Sequence, residues 1–161
     1  MSSRLPFFLL GVCGLLALLL FATTSCSLPY QQRWKKVAQT PATTAPTTLE
    51  GAWVGTWRSE GTGHHGKLKA IVTPATGSSD VWDFHYHATW AKILSGGYTT
   101  QHKAEEKSPG NFIISGEHDL GKLFGGVFRY DGAATPEHFK ANYRSSNDHG
   151  VFELERPAAT K

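Results

Sequence analysis

The chain has 161 residues, of which 12% are aromatic, and its 16 lysine and arginine residues outnumber its 13 acidic residues to give a net charge of +3. This charge is too small to indicate a nucleic-acid-binding protein, and no basic stripe is interleaved with aromatic residues. We therefore expect no nucleic-acid partner.

The first 25 residues have the pattern of a secretory signal peptide. Arg4 is followed by an apolar run from Phe7 to Phe21, and the small residues Ala22 to Ser25 come next. A basic start, an apolar stretch of this length and small residues together favour a cleaved signal over residues 1–25. A retained transmembrane helix fits less well, because crossing a bilayer takes about 20 apolar residues.

Cys26 directly follows these small residues. The stretch "ATTSC" resembles a bacterial lipobox, in which the cysteine is lipidated after cleavage, with Thr23 standing where a branched or leucine side chain is usual. Because Cys13 would leave with the signal, Cys26 has no partner for an intramolecular disulfide. The resemblance implies a lipid on Cys26 that anchors an exported protein to a membrane of the bacterial cell envelope, facing the periplasm or in the outer membrane. Ordinary cleavage beside an incidental cysteine is the alternative.

Residues 26–48 are predicted to form a polar, Pro/Thr-rich linker. Residues 27–36 carry Tyr30 and Trp34 among basic side chains, which fits either a segment lying on lipid headgroups or a simple tether. The tether is the favoured interpretation. The stretch "QTPATTAPTTLE" that follows is too poor in large apolar residues to form a core, and its prolines stiffen the chain.

Residues 49–157 are predicted to form one β-barrel domain, followed by a short tail at 158–161. β-Branched and aromatic residues recur between turn residues at short spacing. The candidate strands are 52–59, 67–73, 81–91, 97–105, 111–118, 123–130, 138–145 and 150–156. Short turns favour an antiparallel meander, and closing it removes two exposed edges. We expect an all-β fold, a small up-and-down barrel of about eight strands that encloses side chains or one small ligand.

Alternation along residues 81–91 assigns the two faces of the barrel wall. Trp82, Phe84, Tyr86, Ala88 and Trp90 fall on one side, and polar residues alternate with them. The same rule places the following residues inside: Trp53, Trp57, Leu68, Ala70, Val72, Phe112, Ile114, Phe128, Phe139, Ala141, Tyr143, Phe152 and Leu154. Rings in such number either fill the barrel or line an apolar pocket.

The first strand begins with "GAWVGTW", which resembles the G-x-W opening of the calycin superfamily, the lipocalin and fatty-acid-binding barrels. In that superfamily an arginine of the last strand packs over the first-strand tryptophan and closes one end of the barrel. Arg156 shares the parity of Leu154 in the last predicted strand. The resemblance implies that Arg156 packs over Trp53 or Trp57.

Three longer stretches resemble a family of uncharacterised small bacterial lipoproteins. They are "GTWRSEGTGHHGKL", "GEHDLGKLFGGVFRYDG" and "FKANYRSSNDHGVFELERP". The resemblance spans most of the predicted barrel, from position 55 to position 157. This resemblance supports the lipoprotein interpretation and implies no particular activity.

Several histidines are candidate ligands. His85 and His87 share one strand face, so they would hold a metal if His102 or Glu105 of a neighbouring strand completed the set; a solvated outer face is the alternative. His64 and His65 fit the tip of a polar hairpin.

One further resemblance points to haem. "GTWRSEGTG" is similar to the opening of nitrobindin-type haem barrels, and His149, Leu154 and Arg156 repeat the spacing of their last strand. The resemblance implies that His149 is a proximal haem ligand. The alternative is turn chemistry, since Asp148 and its neighbours in "SSNDHG" suit a tight turn.

No catalytic motif is visible, so an enzyme is not the favoured interpretation. The leading hypothesis is an exported lipoprotein whose barrel binds a small apolar ligand. The expected contacts are Trp57, Trp82, Tyr86, Trp90 and Tyr143. A structural or protein-interaction module with a filled barrel is the second hypothesis, and haem or metal binding through histidine is the third.

Overall fold

A computed structural model of the chain describes residues 27–39, 46–90, 94–122 and 126–158. The predicted signal peptide at 1–25 and the predicted lipidation site Cys26 lie outside the described residues, as do positions 159–161 of the predicted tail. In the described part of the chain, no helix has both the length and the apolar character that crossing a membrane requires. The chain divides into two units between Arg33 and Trp34, and the second unit contains the barrel.

A helix, α1, covers Ser27–Ala38, within the segment predicted to be a polar linker. Pro29 lies in its first turn, where a missing backbone N–H is tolerated. Lys35 and Lys36 occupy its last turn, where cations favour the helix dipole. Tyr30, Trp34, Val37 and Ala38 follow the i, i+4, i+7, i+8 spacing of one helix face, and all four are half-buried, so this short segment does carry a helical period.

Eight strands follow and form a closed antiparallel barrel. Each strand pairs with the next in the chain, and β8 returns to pair with β1. Their bounds are β1 Gly51–Ser59, β2 His65–Pro74, β3 Val81–Trp90, β4 Leu94–Ser108, β5 Asn111–Asp119, β6 Val127–Ala134, β7 His138–Arg144 and β8 His149–Glu155. The predicted all-β up-and-down barrel of eight strands is confirmed, and the architecture is compatible with a calycin-like fold.

The sixth strand differs from its predicted bounds. The predicted strand at 123–130 is observed at Val127–Ala134, and Asp131 and Gly132 continue the ladder beyond the predicted end of the strand. The carboxylate of Asp131 accepts a hydrogen bond from Asn142 Nδ2 across the ladder at 3.1 Å. A Cβ on Gly132 would lie 2.2 Å from the carbonyl oxygen of Lys140, so glycine is needed here for close backbone approach.

Most residues predicted to face inward are buried. The exceptions are Trp90, which is 38% exposed, and the half-buried Trp57, Ala88 and Phe128. The inner face also buries residues that the sequence pattern does not select: Leu49, His102, Ala104, Tyr130 and Ala134. The core rings contact one another over much of the barrel, with centroid distances from 4.7 Å between Phe84 and His102 to 6.4 Å between Trp53 and Phe139.

One end of the barrel is sealed by Arg156. Its guanidinium carbon lies 4.1 Å from the centroid of the Trp53 ring, the geometry of a cation–π contact. Its N–H groups donate to the carbonyl oxygens of Pro136 at 2.7 Å and of Glu50 and Thr48 at 2.8 Å. Burial lowers the pKa of Arg156 to about 10, so the side chain stays charged at neutral pH. We call this end, with its turns at 75–80, 109–110 and 135–137, the sealed end.

Candidate functional site

The opposite end of the barrel, which we call the open end, exposes part of its interior. It carries the β1–β2, β3–β4, β5–β6 and β7–β8 connections. The hydrophobic side chains that pack against the core while remaining half-exposed are Trp57, Ala88, Tyr98 and Phe128, and all four lie in the open-end half of their strands. Apolar rings are therefore accessible at the end of the barrel that Arg156 does not seal.

The wall of the barrel is less tightly paired on one side of the open end. The ladder between β4 and β5 joins 103–108 to 111–115, near the sealed end. Beyond it, residues 94–102 pair with β3 alone and residues 116–119 pair with β6 alone. We call this stretch between 94–102 and 116–119 the seam.

Side chains bridge the seam where the backbone ladder stops. The ring of Tyr98 on β4 stacks on the ring of His118 on β5, with centroids 5.9 Å apart and planes 22° apart. The hydroxyl of Tyr98 lies 3.2 Å from the hydroxyl of Tyr130 on β6. Burial raises the pKa of Tyr98 and raises that of Tyr130 to about 12, so both hydroxyls keep their protons at neutral pH.

His102 lies at the foot of the seam, one residue beyond the end of the β4–β5 ladder, and is fully buried. Its Nε2 atom is 3.2 Å from the hydroxyl of Tyr86, whereas Nδ1 has no hydrogen-bond partner among the described residues. Burial, with a smaller contribution from His118, lowers the pKa of His102 to about 3, so the ring is neutral. A Cβ on Gly116 would lie 2.5 Å from Nδ1, so glycine makes room for the ring in the neighbouring strand.

A hydrogen-bond network orders the other side of the open end. The carboxylate of Asp148 accepts from Ser59 Oγ at 2.5 Å, from the backbone N–H of His149 at 2.8 Å and from the Tyr143 hydroxyl at 3.2 Å. The backbone N–H of Thr62 donates to Ser59 Oγ at 2.9 Å. Asp148 therefore joins the β1–β2 and β7–β8 connections, a structural role that agrees with the turn interpretation.

The five predicted contact residues do not form one pocket. Trp57 lies at the open end, where its indole N–H donates to the carbonyl oxygen of Thr89 at 2.9 Å. Tyr86 is fully buried, Tyr143 belongs to the Asp148 network, and Trp90 is an exposed residue at the end of β3. Trp82 is buried near the start of β3, at the sealed end.

Tyr98, His118 and Tyr130 are the site residues that sequence reasoning missed. Each lies on a different strand, and the register of those strands was ambiguous because glycines interrupt them. Alternation along each strand places all three side chains on the inner face, but this pattern becomes clear only once the bounds of β4 and β6 are known.

The candidate metal ligands are on opposite sides of the barrel wall. His85 Nδ1 is 2.9 Å from Thr99 Oγ1, and His87 has a pKa lowered by burial and by the nearby Lys69. His102 faces the interior, so it does not complete a set with them, and Glu105 is paired with Lys107. Among the described residues, no group of three or more histidine, cysteine or acidic side chains is placed to hold a metal.

His149, the haem ligand implied by resemblance, is exposed at the start of β8, where Gly150, Phe152 and Leu154 are the buried inward positions. Its Nδ1 atom lies 3.5 Å from the place that a Cβ on Gly61 would take, in the β1–β2 connection. This outward placement does not fit a haem held inside the barrel by His149. His64 and His65 line an open cleft of about 820 Å³ beside Trp90.

Comparisons with protein-family models, with curated proteins and with solved structures found no match for this chain.

Proposed function

We propose that this protein is an exported, membrane-tethered lipoprotein of the bacterial cell envelope whose barrel binds a small, mainly apolar ligand at its open end. The observation that carries the proposal is the asymmetry of the barrel. Trp53 and Arg156 seal one end, while Trp57, Tyr98 and Phe128 leave apolar ring surface accessible at the other. Concave sites lined by aromatic rings with a few polar groups are the usual form of a small-molecule site.

The side chains at the open end favour a ligand with an apolar body and one hydrogen-bonding group. Trp57 and Phe128 offer ring faces, and the Tyr98 and Tyr130 hydroxyls, 3.2 Å apart, offer both donors and acceptors. Below them the rings of His102 and Tyr130 are in contact, with centroids 4.8 Å apart, so the ligand would occupy the open end rather than the full depth of the barrel.

The ligand is tested by native mass spectrometry of the processed protein purified from its source. A retained mass that is released by mild activation is the expected result, and the mass also identifies a haem or a metal if one is bound. A protein that carries no ligand, and that fails to take up an apolar probe, would contradict the proposal.

The location of the site is tested by titration with the apolar dye N-phenyl-1-naphthylamine. Phe128→Ser should weaken dye binding by roughly tenfold, because about 1.4 kcal/mol of ring contact is removed. Ile113→Ser is the matched control, since Ile113 is 48% exposed on the outer face of β5 and lies in the sealed-end half. Equal affinity for both variants, with both correctly folded, would place the dye elsewhere.

One observation favours a protein-interaction module as the second candidate function. A groove of about 660 Å³ runs across the outer face from β5 to β1, where Ile113 and Ala133 lie beside the ion pair of Lys140 with Glu153 at 2.7 Å. Under this alternative, Ile113→Ser would impair the protein's activity in cells, and Phe128→Ser would leave that activity intact.

A further inference from the structure

Exposed hydrophobic side chains occur on two hairpins at the edge of the open end. Trp90, Leu94 and Val127 are 38%, 50% and 40% exposed. Trp90 pairs with Leu94 across the β3–β4 hairpin, and Val127 begins β6 in the next hairpin along the sheet. These two hairpins contain β4 and β5, the strands on either side of the seam. We call these three residues the rim.

Cations outnumber carboxylates by one among the described residues of the open end, where Arg58, Lys67, Lys122, Arg129 and Arg144 face Glu60, Glu117, Asp119 and Asp148. Lys67 and Lys122 are exposed at the open end, in β2 and after β5. Two carboxylates of this end are in ion pairs, Glu60 with Arg58 and Glu117 with Arg129. Asp119 and Asp148 accept hydrogen bonds from neutral donors and so keep their negative charge. The positive charge is local to Trp90, because Lys67 and Trp90 line the same cleft and no carboxylate belongs to the described lining of that cleft.

We propose that the rim docks on an anionic phospholipid surface. Trp90, Leu94 and Val127 would enter the boundary between headgroups and acyl chains, where tryptophan is especially favoured, while Lys67 and Lys122 face the phosphates. This contact is separate from the lipid expected on Cys26. It goes beyond the proposed ligand because it assigns a membrane surface to the open end of the barrel.

A second copy of the chain is a less suitable occupant. A stable protein interface buries about 800 Å² on each partner. Three partly exposed side chains supply only a fraction of that area, and the flanking lysines of two copies would repel one another across a symmetric contact. A lipid surface needs no large complementary patch, and anionic headgroups match the lysines.

The proposal is tested with the processed protein in vesicles of phosphatidylcholine and phosphatidylglycerol that contain phospholipids brominated on their acyl chains. Bromine quenches tryptophan fluorescence on contact, so the quenching lost on Trp90→Phe measures the insertion of Trp90. We expect that loss. We also expect no added quenching from a tryptophan introduced as Ile113→Trp in the Trp90→Phe background, because Ile113 is more exposed than Trp90 but lies away from the rim.

Two outcomes would overturn the proposal. One is the same quenching in the wild-type protein and in Trp90→Phe, and the other is quenching from position 113 as strong as that from position 90. Double substitution of Lys67 and Lys122 by serine should weaken quenching on anionic vesicles, and an equal signal on pure phosphatidylcholine would refute the role of charge. A dimer in solution that Leu94→Ser dissociates would instead identify a second copy as the occupant. Dye binding is measured without vesicles, so this test and the test of the proposed function can fail separately.

Discussion

Lowering the pH should destabilise the barrel through His102, and the size of the effect follows from its burial. The folded state holds the pKa of His102 at about 3, compared with an ordinary value of 6.5 in the unfolded chain. As the pH falls below 6.5, the unfolded state binds the proton first, so stability present at neutral pH is lost progressively towards pH 3. Each pH unit between these two pKa values lowers the free energy of unfolding by about 1.4 kcal/mol, which gives a loss of ~2 kcal/mol between about pH 7.5 and about pH 5.

The assay is urea unfolding of the wild-type protein and of His102→Phe at these two pH values. The variant loses the hydrogen bond to the Tyr86 hydroxyl at both pH values, so the quantity to compare is the change in unfolding free energy with pH. Asp80, Glu105 and Glu153 have pKa values lowered by their hydrogen-bond partners, so their contribution to stability is lost at lower pH.

His102→Phe should remove ~2 kcal/mol of the pH-dependent change, because phenylalanine has no proton to bind. His138→Gln, at an exposed position, is the control and should keep the wild-type dependence. The pKa of the other buried histidine, His87, is also lowered, so some dependence will remain in the His102 variant. If wild type and His102→Phe lose the same stability between the two pH values, the inference that His102 stays neutral in the fold is wrong.

Three further predictions concern single residues, two of them through contacts and the third through the expected lipidation. Gly116→Ala should cost roughly 1–3 kcal/mol in urea unfolding, because its Cβ would lie 2.5 Å from Nδ1 of His102; an unchanged midpoint would show that the ring is free to move. Arg156→Ala should cost about 2–4 kcal/mol in thermal unfolding, since it removes the cover of Trp53 and leaves carbonyl groups unsatisfied, and Arg156→Lys should not restore the loss; full rescue by lysine would refute the role of the planar guanidinium. Cys26→Ser should move the protein from the membrane to the soluble fraction after cell fractionation, and continued membrane attachment would contradict lipidation at that residue.

The fold was largely predictable because a barrel wall imposes a two-residue period. Trp82, Phe84 and Tyr86 define the inner face without ambiguity, and all three are buried. Glycine obscured the pattern elsewhere. Gly132 reads as a turn residue, yet it lies mid-strand because a close backbone approach requires it.

The candidate site was less predictable because it depends on where a ladder ends. Nothing local in β4 indicates that its pairing with β5 stops at Lys103, since hydrogen bonding between strands depends on how the sheet twists and closes. The Tyr98–His118 stack and the Tyr98–Tyr130 contact each join different strands, and a single sequence does not reveal such pairs.

The contacts of Arg156 also determine how the barrel would bear mechanical load. Its guanidinium holds the carbonyl groups of Thr48 and Glu50, so the chain that leads from the expected membrane anchor is fastened at the sealed end before β1 begins. A pull on that chain would act along β1, which shares eight paired positions with β2 and six with β8. These ladders would be loaded in shear, with many hydrogen bonds resisting together. Tension on such an anchor would therefore act at the sealed end, and the seam would carry little of it.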